Sequence, residues 1–95
     1  KSSSYQIAKA DVGELINTTA GVTVPANLSP ALVAGDAITI YNNSASDITV
    51  TQGSSVTMYQ AGTSNTGNRT LAQRGVATVL CVGTNTFTII GGGLS

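Results

Sequence analysis

Ninety-five residues are enough for one domain, and Cys81, the only cysteine, leaves no disulfide within it. Histidine is absent, which excludes Ser-His-Asp and Cys-His nucleophile pairs and histidine-based zinc or iron sites. Charge is confined to Lys1, Lys9, Arg69 and Arg74 against Asp11, Glu14, Asp36 and Asp47, 8% of the chain with net zero, so no electrostatic footprint for nucleic acid or anionic lipid exists.

Neutral polarity replaces charge: fourteen Thr, ten Ser, seven Asn and four Gln make up over a third of the residues. The β-branched residues are plentiful and evenly spread, as suits half-buried pleated strands. No run approaches the roughly 18 apolar residues of a membrane span. No signal peptide is evident, and a first residue of lysine reads as a fragment of a longer chain or a processed product.

In chain order, Tyr5–Lys9 alternates, with Tyr5, Ile7 and Lys9 on one side, and Ala10–Gly13 reads as a tight turn. Glu14–Asn17 and Gly21–Val24 are short strands, the second closed by Pro25. Residues 25–35 are the least strand-like piece. They suit either a loop or one helical turn at Ser29–Leu32, capped by Ser29 with Pro30 first in the helix. Asp36–Asn42, Ile48–Gln52 and Val56–Ala61 alternate and are separated by turns, which predicts an antiparallel meander with Ile38, Ile40, Ile48, Val50, Val56 and Met58 on its apolar face.

Residues 62–68 form a polar loop, and Arg69–Leu71 a short edge strand. Gln73–Gly75 turns into Val76–Val82, which is apolar on both faces and predicts a central, fully buried strand. Gly83–Asn85 closes a hairpin with Thr86–Ile90, and Gly91–Gly93 reads as a flexible tail or hinge. The expectation is a single all-β domain over 1–95: a small antiparallel sandwich or barrel of about seven to nine short strands. Residues 1–4 and 91–95 are read as flexible or partner-contacting ends.

Three phrases occur together: Ala10–Ile16 (ADVGELI), Val33–Asn43 (VAGDAITIYNN), and Leu71–Leu80 (LAQRGVATVL) continued by Gly83–Phe87 and Ile90–Gly91. Together they resemble the small β-domains of tailed-bacteriophage structural proteins, of tail-fibre, tail-tip and head-fibre type, over most of residues 8–93. Phe87 stands where many such domains carry tryptophan. The resemblance implies a non-enzymatic virion component, commonly a homotrimer, made in the bacterial host cytoplasm. It would serve as a fibre or tail-tip module displayed for attachment to a host surface glycan or protein. The alternative is a capsid decoration protein or fibre-to-shell adaptor without receptor binding, whose terminal segments would order on a viral partner. Composition points to assembly independently: eight charges are few to coat a monomer of this size, and a strand apolar on both faces needs cover.

Tyr41 and Tyr59 alternate away from the apolar face and are candidates for recognition or a subunit interface. Arg69 and Arg74 flank a short strand and could meet an acidic partner, although such residues more often bond turn carbonyls. Gly62–Thr70 has the glycine spacing of a phosphate-binding loop but carries Asn68 where the lysine belongs, which favours a hairpin loop. Of the four acids, Asp11, Asp36 and Asp47 fall at turns and Glu14 just after one, a pattern of backbone bonding more than of a glycosidase pair. Cys81, in the most apolar run, reads as an inert buried thiol. Four Asn-x-Ser/Thr sites, at Asn17, Asn27, Asn42 and Asn68, follow from composition. No cofactor or metal is implied.

Overall fold

The fold was analysed in a computed structural model that describes residues 1–28 and 31–95. The helical turn considered at Ser29–Leu32 falls on Ser29 and Pro30, outside the described residues. Among the described residues eight strands form one sheet: β1 (Tyr5–Gln6), β2 (Leu15–Thr18), β3 (Val22–Val24), β4 (Ala37–Asn42), β5 (Ile48–Gln52), β6 (Thr57–Gln60), β7 (Arg69–Gly83) and β8 (Thr86–Leu94). A 3-10 turn at Lys9–Asp11 joins β1 to β2. The all-β expectation and the strand number hold.

The pairing of the strands is not a meander. The 15-residue strand β7 is the spine. Along one edge it pairs with β8. Along the other it pairs first with β5, through Arg69–Leu71, and then with β4, through Val76–Leu80. Two arms therefore fork from one edge of the spine, β5–β3–β1 and β4–β2, while β6 extends the other edge beyond β8. The first five strands alternate between the arms. Each pairs in parallel with the next strand of its own arm, β1 with β3, β3 with β5 and β2 with β4. Parallel neighbours need a long crossover, and here the intervening strand of the other arm supplies it. The predicted β4–β5–β6 meander is thus corrected: these strands have the same apolar alternation but lie in three different places in the sheet.

The fork sits where β7 is irregular. Between Leu71 and Val76 the register with β8 slips, since five steps on β7 match two on β8, from Leu94 to Gly92. Arg74 takes up the distortion at φ 57°. Extra residues in one strand bend it and increase its twist, which lets the two arms diverge yet enclose one core. The sequence predicts a short strand, a turn and a second strand here; the structure makes the region one bulged strand.

Inward residues from every arm meet in that core: Val22, Val24, Ile48, Val50 and Leu71 from one, Ile16, Ile38, Ile40, Ala77, Val79 and Cys81 from the other, and Met58, Phe87 and Ile89 from β6 and β8. The terminal glycines are not a tail. They continue β8, and Leu94 packs against the core. Ser95 and Thr70 exchange backbone hydrogen bonds of 2.8 and 2.9 Å. At the other end, the Thr19 N–H donates to the Lys1 carbonyl at 2.8 Å, and the Lys1 ammonium lies 4.2 Å from the centre of the Tyr5 ring.

Cys81 is 1% exposed, and its thiol donates to the Gly83 carbonyl at 3.2 Å. A thiol held this way reacts only when β7 opens. Labelling by a soluble disulfide reagent is therefore expected to follow the unfolding equilibrium, slow in buffer and complete in denaturant. Fast stoichiometric labelling of the folded protein would contradict the packing.

Candidate functional site

Strand alternation places a second set of side chains on the outside of β2, β4, β7, β8 and β6. Read across the sheet by register, Asn17, Tyr41, Val76 and Gly92 form one row. Leu15, Thr39, Thr78 and Ile90 form the next, followed by Ala37, Leu80, Thr88 and Tyr59. Val82 continues the outward series along β7. None of these residues is charged. Leu15 is 58% exposed and Ile90 59%, with Val76, Leu80 and Val82 at 36–46%.

The predicted burial of Val76–Val82 is therefore half right. The strand is central, with both edges paired, and Ala77, Val79 and Cys81 are buried. Val76, Leu80 and Val82 are exposed, because no second layer among the described residues covers the outside of the sheet.

Tyr41 and Tyr59 both belong to this outer face, as the alternation requires. They are not neighbours, since β4 and β6 are separated by β7 and β8. Three strand spacings and four residues of register put them roughly 20 Å apart, at opposite corners. Arg69 and Arg74 stand outside these rows, Arg74 two residues before Val76 on β7. Arg69 donates to the Asn68 carbonyl at 2.7 Å and to Gln60 Oε1 at 2.8 Å, and Arg74 donates to Asn43 Oδ1 at 2.5 Å. The four candidates are thus not brought into one site, and both guanidinium groups serve local structure.

The glycine-rich loop is a connection held from within. Gly62 and Gly67 take φ of 81° and 109°, which glycine reaches without strain. Gln52 Oε1 accepts from the Gly67 and Met58 N–H groups at 3.1 and 2.8 Å, and Asn68 Oδ1 accepts from the Gln52 N–H at 2.8 Å. The Asn65 N–H is bonded to the Thr63 hydroxyl at 3.1 Å. These bonds occupy N–H groups that a phosphate would need.

Two of the acids order the segments that flank β2 and β4. Asp11 Oδ2 accepts from the Tyr5 hydroxyl and the Ala8 N–H, both at 2.8 Å. The hydrogen bond to Asp11 raises the Tyr5 hydroxyl above its ordinary value of 10.0. Asp36 Oδ2 accepts from Lys9 Nζ at 2.6 Å and from the Val33 N–H at 2.9 Å. Lys9, and after it the Val33 N–H, hold the Asp36 carboxyl below its ordinary value of 3.8. A lowered carboxyl favours the folded state above its unfolded value and loses that contribution as pH falls through the folded one. The stability difference between the native chain and Asp36→Asn is therefore expected near neutral pH and should fade as the pH falls through the lowered carboxyl value of the folded chain. A difference that persisted in acid would show that charge is not its source.

Asn42, an Asn-x-Ser/Thr site, is fully buried. Its Nδ2 donates to the carbonyls of Ser46, Leu71 and Ala72 at 2.8–3.1 Å, and its Oδ1 accepts from the Ser44 hydroxyl at 2.8 Å. It pins the end of β4 and the following turn to the bulge of β7. Pro25, Leu28, Ala31, Leu32, Asn85 and Phe87 line a depression with about 10 Å³ of free space, room for about one water.

The outer face, the buried Asn42 and the half-buried Gln52 hub were not singled out from sequence. The face had a signal in the adjacent apolar pairs Leu15–Ile16 and Ile89–Ile90, since neighbours on a strand point to opposite faces. Comparison with known proteins finds no match to a family model, a curated protein or a solved structure.

Proposed function

We propose that the chain is a bacteriophage virion structural protein, a fibre or tail-tip module that acts by display and not by catalysis. The observation that carries this reading is the uncharged outer face of β2–β4–β7–β8–β6, with Leu15, Val76, Leu80, Val82 and Ile90 in solvent. A small domain with that much apolar surface on one side is suited to work inside an assembly. The three sequence phrases at 10–16, 33–43 and 71–91 supply the viral context by resemblance. Homotrimeric display would raise the avidity of weak individual contacts to a host glycan or protein.

The decoration or adaptor alternative called for terminal segments that order on a viral partner. Residues 91–94 already belong to β8, which removes the free C-terminal arm from that reading.

Gradient-purified particles released by cells that carry the gene test the proposal. Peptides of the chain are expected in the particles at the abundance of a structural protein, and the isolated domain should slow particle adsorption. Peptides found only in the soluble fraction would overturn the virion reading. Particle-bound chain with no effect on adsorption would favour decoration.

A further inference from the structure

We infer that the outer face of β2–β4–β7–β8–β6 is a self-association surface, occupied by other copies of this chain. The inference rests on the assembly part of the proposed function and names the surface and its occupant.

The face has the layout of a subunit contact. Its centre is aliphatic and Thr-rich: Leu15, Thr39, Thr78, Ile90 and Leu80 are consecutive in the register grid. Charge appears only at its rim: Glu14 one residue before β2, Asp36 one residue before β4, and Arg74 two residues before Val76 on β7, its guanidinium bonded to Asn43. Depletion of charge at the centre with a polar rim is the arrangement of protein interfaces. Tyrosine, enriched at such contacts, stands at two opposite corners as Tyr41 and Tyr59.

Area and charge select the occupant. Five strands at about 4.8 Å and about 20 Å of strand give a footprint of roughly 500 Å². Side-chain relief increases the accessible area, bringing it towards the ~800 Å² per partner of a standard specific interface. A partner with charges on its contact surface would lose their hydration against a face that offers no counter-charge. A second copy presents the matching uncharged surface, and sheets pack well face to face, about 10 Å apart. Burial of this face would also hide the hydrophobic row that otherwise favours uncontrolled aggregation.

The test is the mass of Leu80→Lys and Ile90→Lys over a dilution series, beside the native chain and Thr49→Lys, whose site is exposed on β5 in the other arm. Circular dichroism and a denaturation midpoint establish that each variant folds. Leu80→Ser and Ile90→Ser serve where a lysine variant does not. The native chain and Thr49→Lys are expected to associate alike, while a lysine at position 80 or 90 weakens association at least about 100-fold. Folded Leu80→Lys and Ile90→Lys that keep the native mass would overturn the surface and leave the virion reading standing. A native chain that stays at 9.5 kDa at every concentration would overturn self-association. Loss of association in the variants with no chain in purified particles would support the surface and remove the virion reading.

Discussion

Gly91→Ala is expected to destabilise the domain by about 3 kcal/mol or more, since its overpacking falls on backbone that cannot move aside. β8 lies so close to β7 here that a β-carbon on Gly91 would sit 2.2 Å from the Val76 carbonyl oxygen and 2.6 Å from Ala77 Cα. Relief requires the two strands to part, and β7 is the spine to which both arms attach. For a domain of this size, such a loss corresponds to a fall in Tm of at least about 12 °C. Gly92→Ala is the matched control, because a β-carbon there meets nothing within 4 Å, and it should stay within about 0.5 kcal/mol. Equal midpoints for the two variants in thermal or denaturant unfolding would show that β8 does not approach β7 as described.

Asn42→Ala is expected to cost about 3 kcal/mol, because truncation strips the amide donor from the carbonyls of Ser46, Leu71 and Ala72 and each buried unsatisfied group costs ~1–3 kcal/mol. Asn42→Asp should not rescue the loss, since a carboxylate offers no N–H to those carbonyls. Asn43→Ala next to it removes one exposed bond from Arg74 and should change stability by less than about 1 kcal/mol. Urea unfolding of the three variants separates the cases. An Asn42→Ala midpoint equal to that of Asn43→Ala would remove Asn42 as the tie between β4 and the bulge.

Period-two alternation carried most of the fold. Ile38 and Ile40, Ile48 and Val50, and Met58 each went inward as the pattern requires, and the β7–β8 hairpin formed around Thr84–Asn85. What alternation does not encode is which strand lies beside which. β4, β5 and β6 carry equivalent patterns, so short turns favoured a meander, whereas the order is set by inward faces that must share one core. The long-range tie that fixes the fork, Asn42 to Leu71 and Ala72, spans 29 and 30 residues and has no local signature. Gly91–Gly93 misled for a related reason: glycine runs usually mark mobile chain, but here Gly91 lacks a side chain because a neighbouring strand occupies that space.

The candidate site was legible in part. Tyr41 and Tyr59 stand on the face that alternation gives them, and the two apolar sides of Val76–Val82 are legible in the sequence, one buried and one exposed. Its breadth was hidden, because Leu15, Leu80 and Ile90 become neighbours only through pairing across β2, β4, β7 and β8. Asp36 and the two arginines illustrate the reverse case, in which residues suggestive of chemistry are engaged in turns.

Absolute mass by light scattering after size exclusion, followed over dilution, reads out self-association through the uncharged sheet face. The expected result is a defined oligomer of at least about 19 kDa, two or more copies of the 9.5 kDa chain, that dissociates only at high dilution. A mass of 9.5 kDa at every concentration would contradict it and leave the outer face without its occupant.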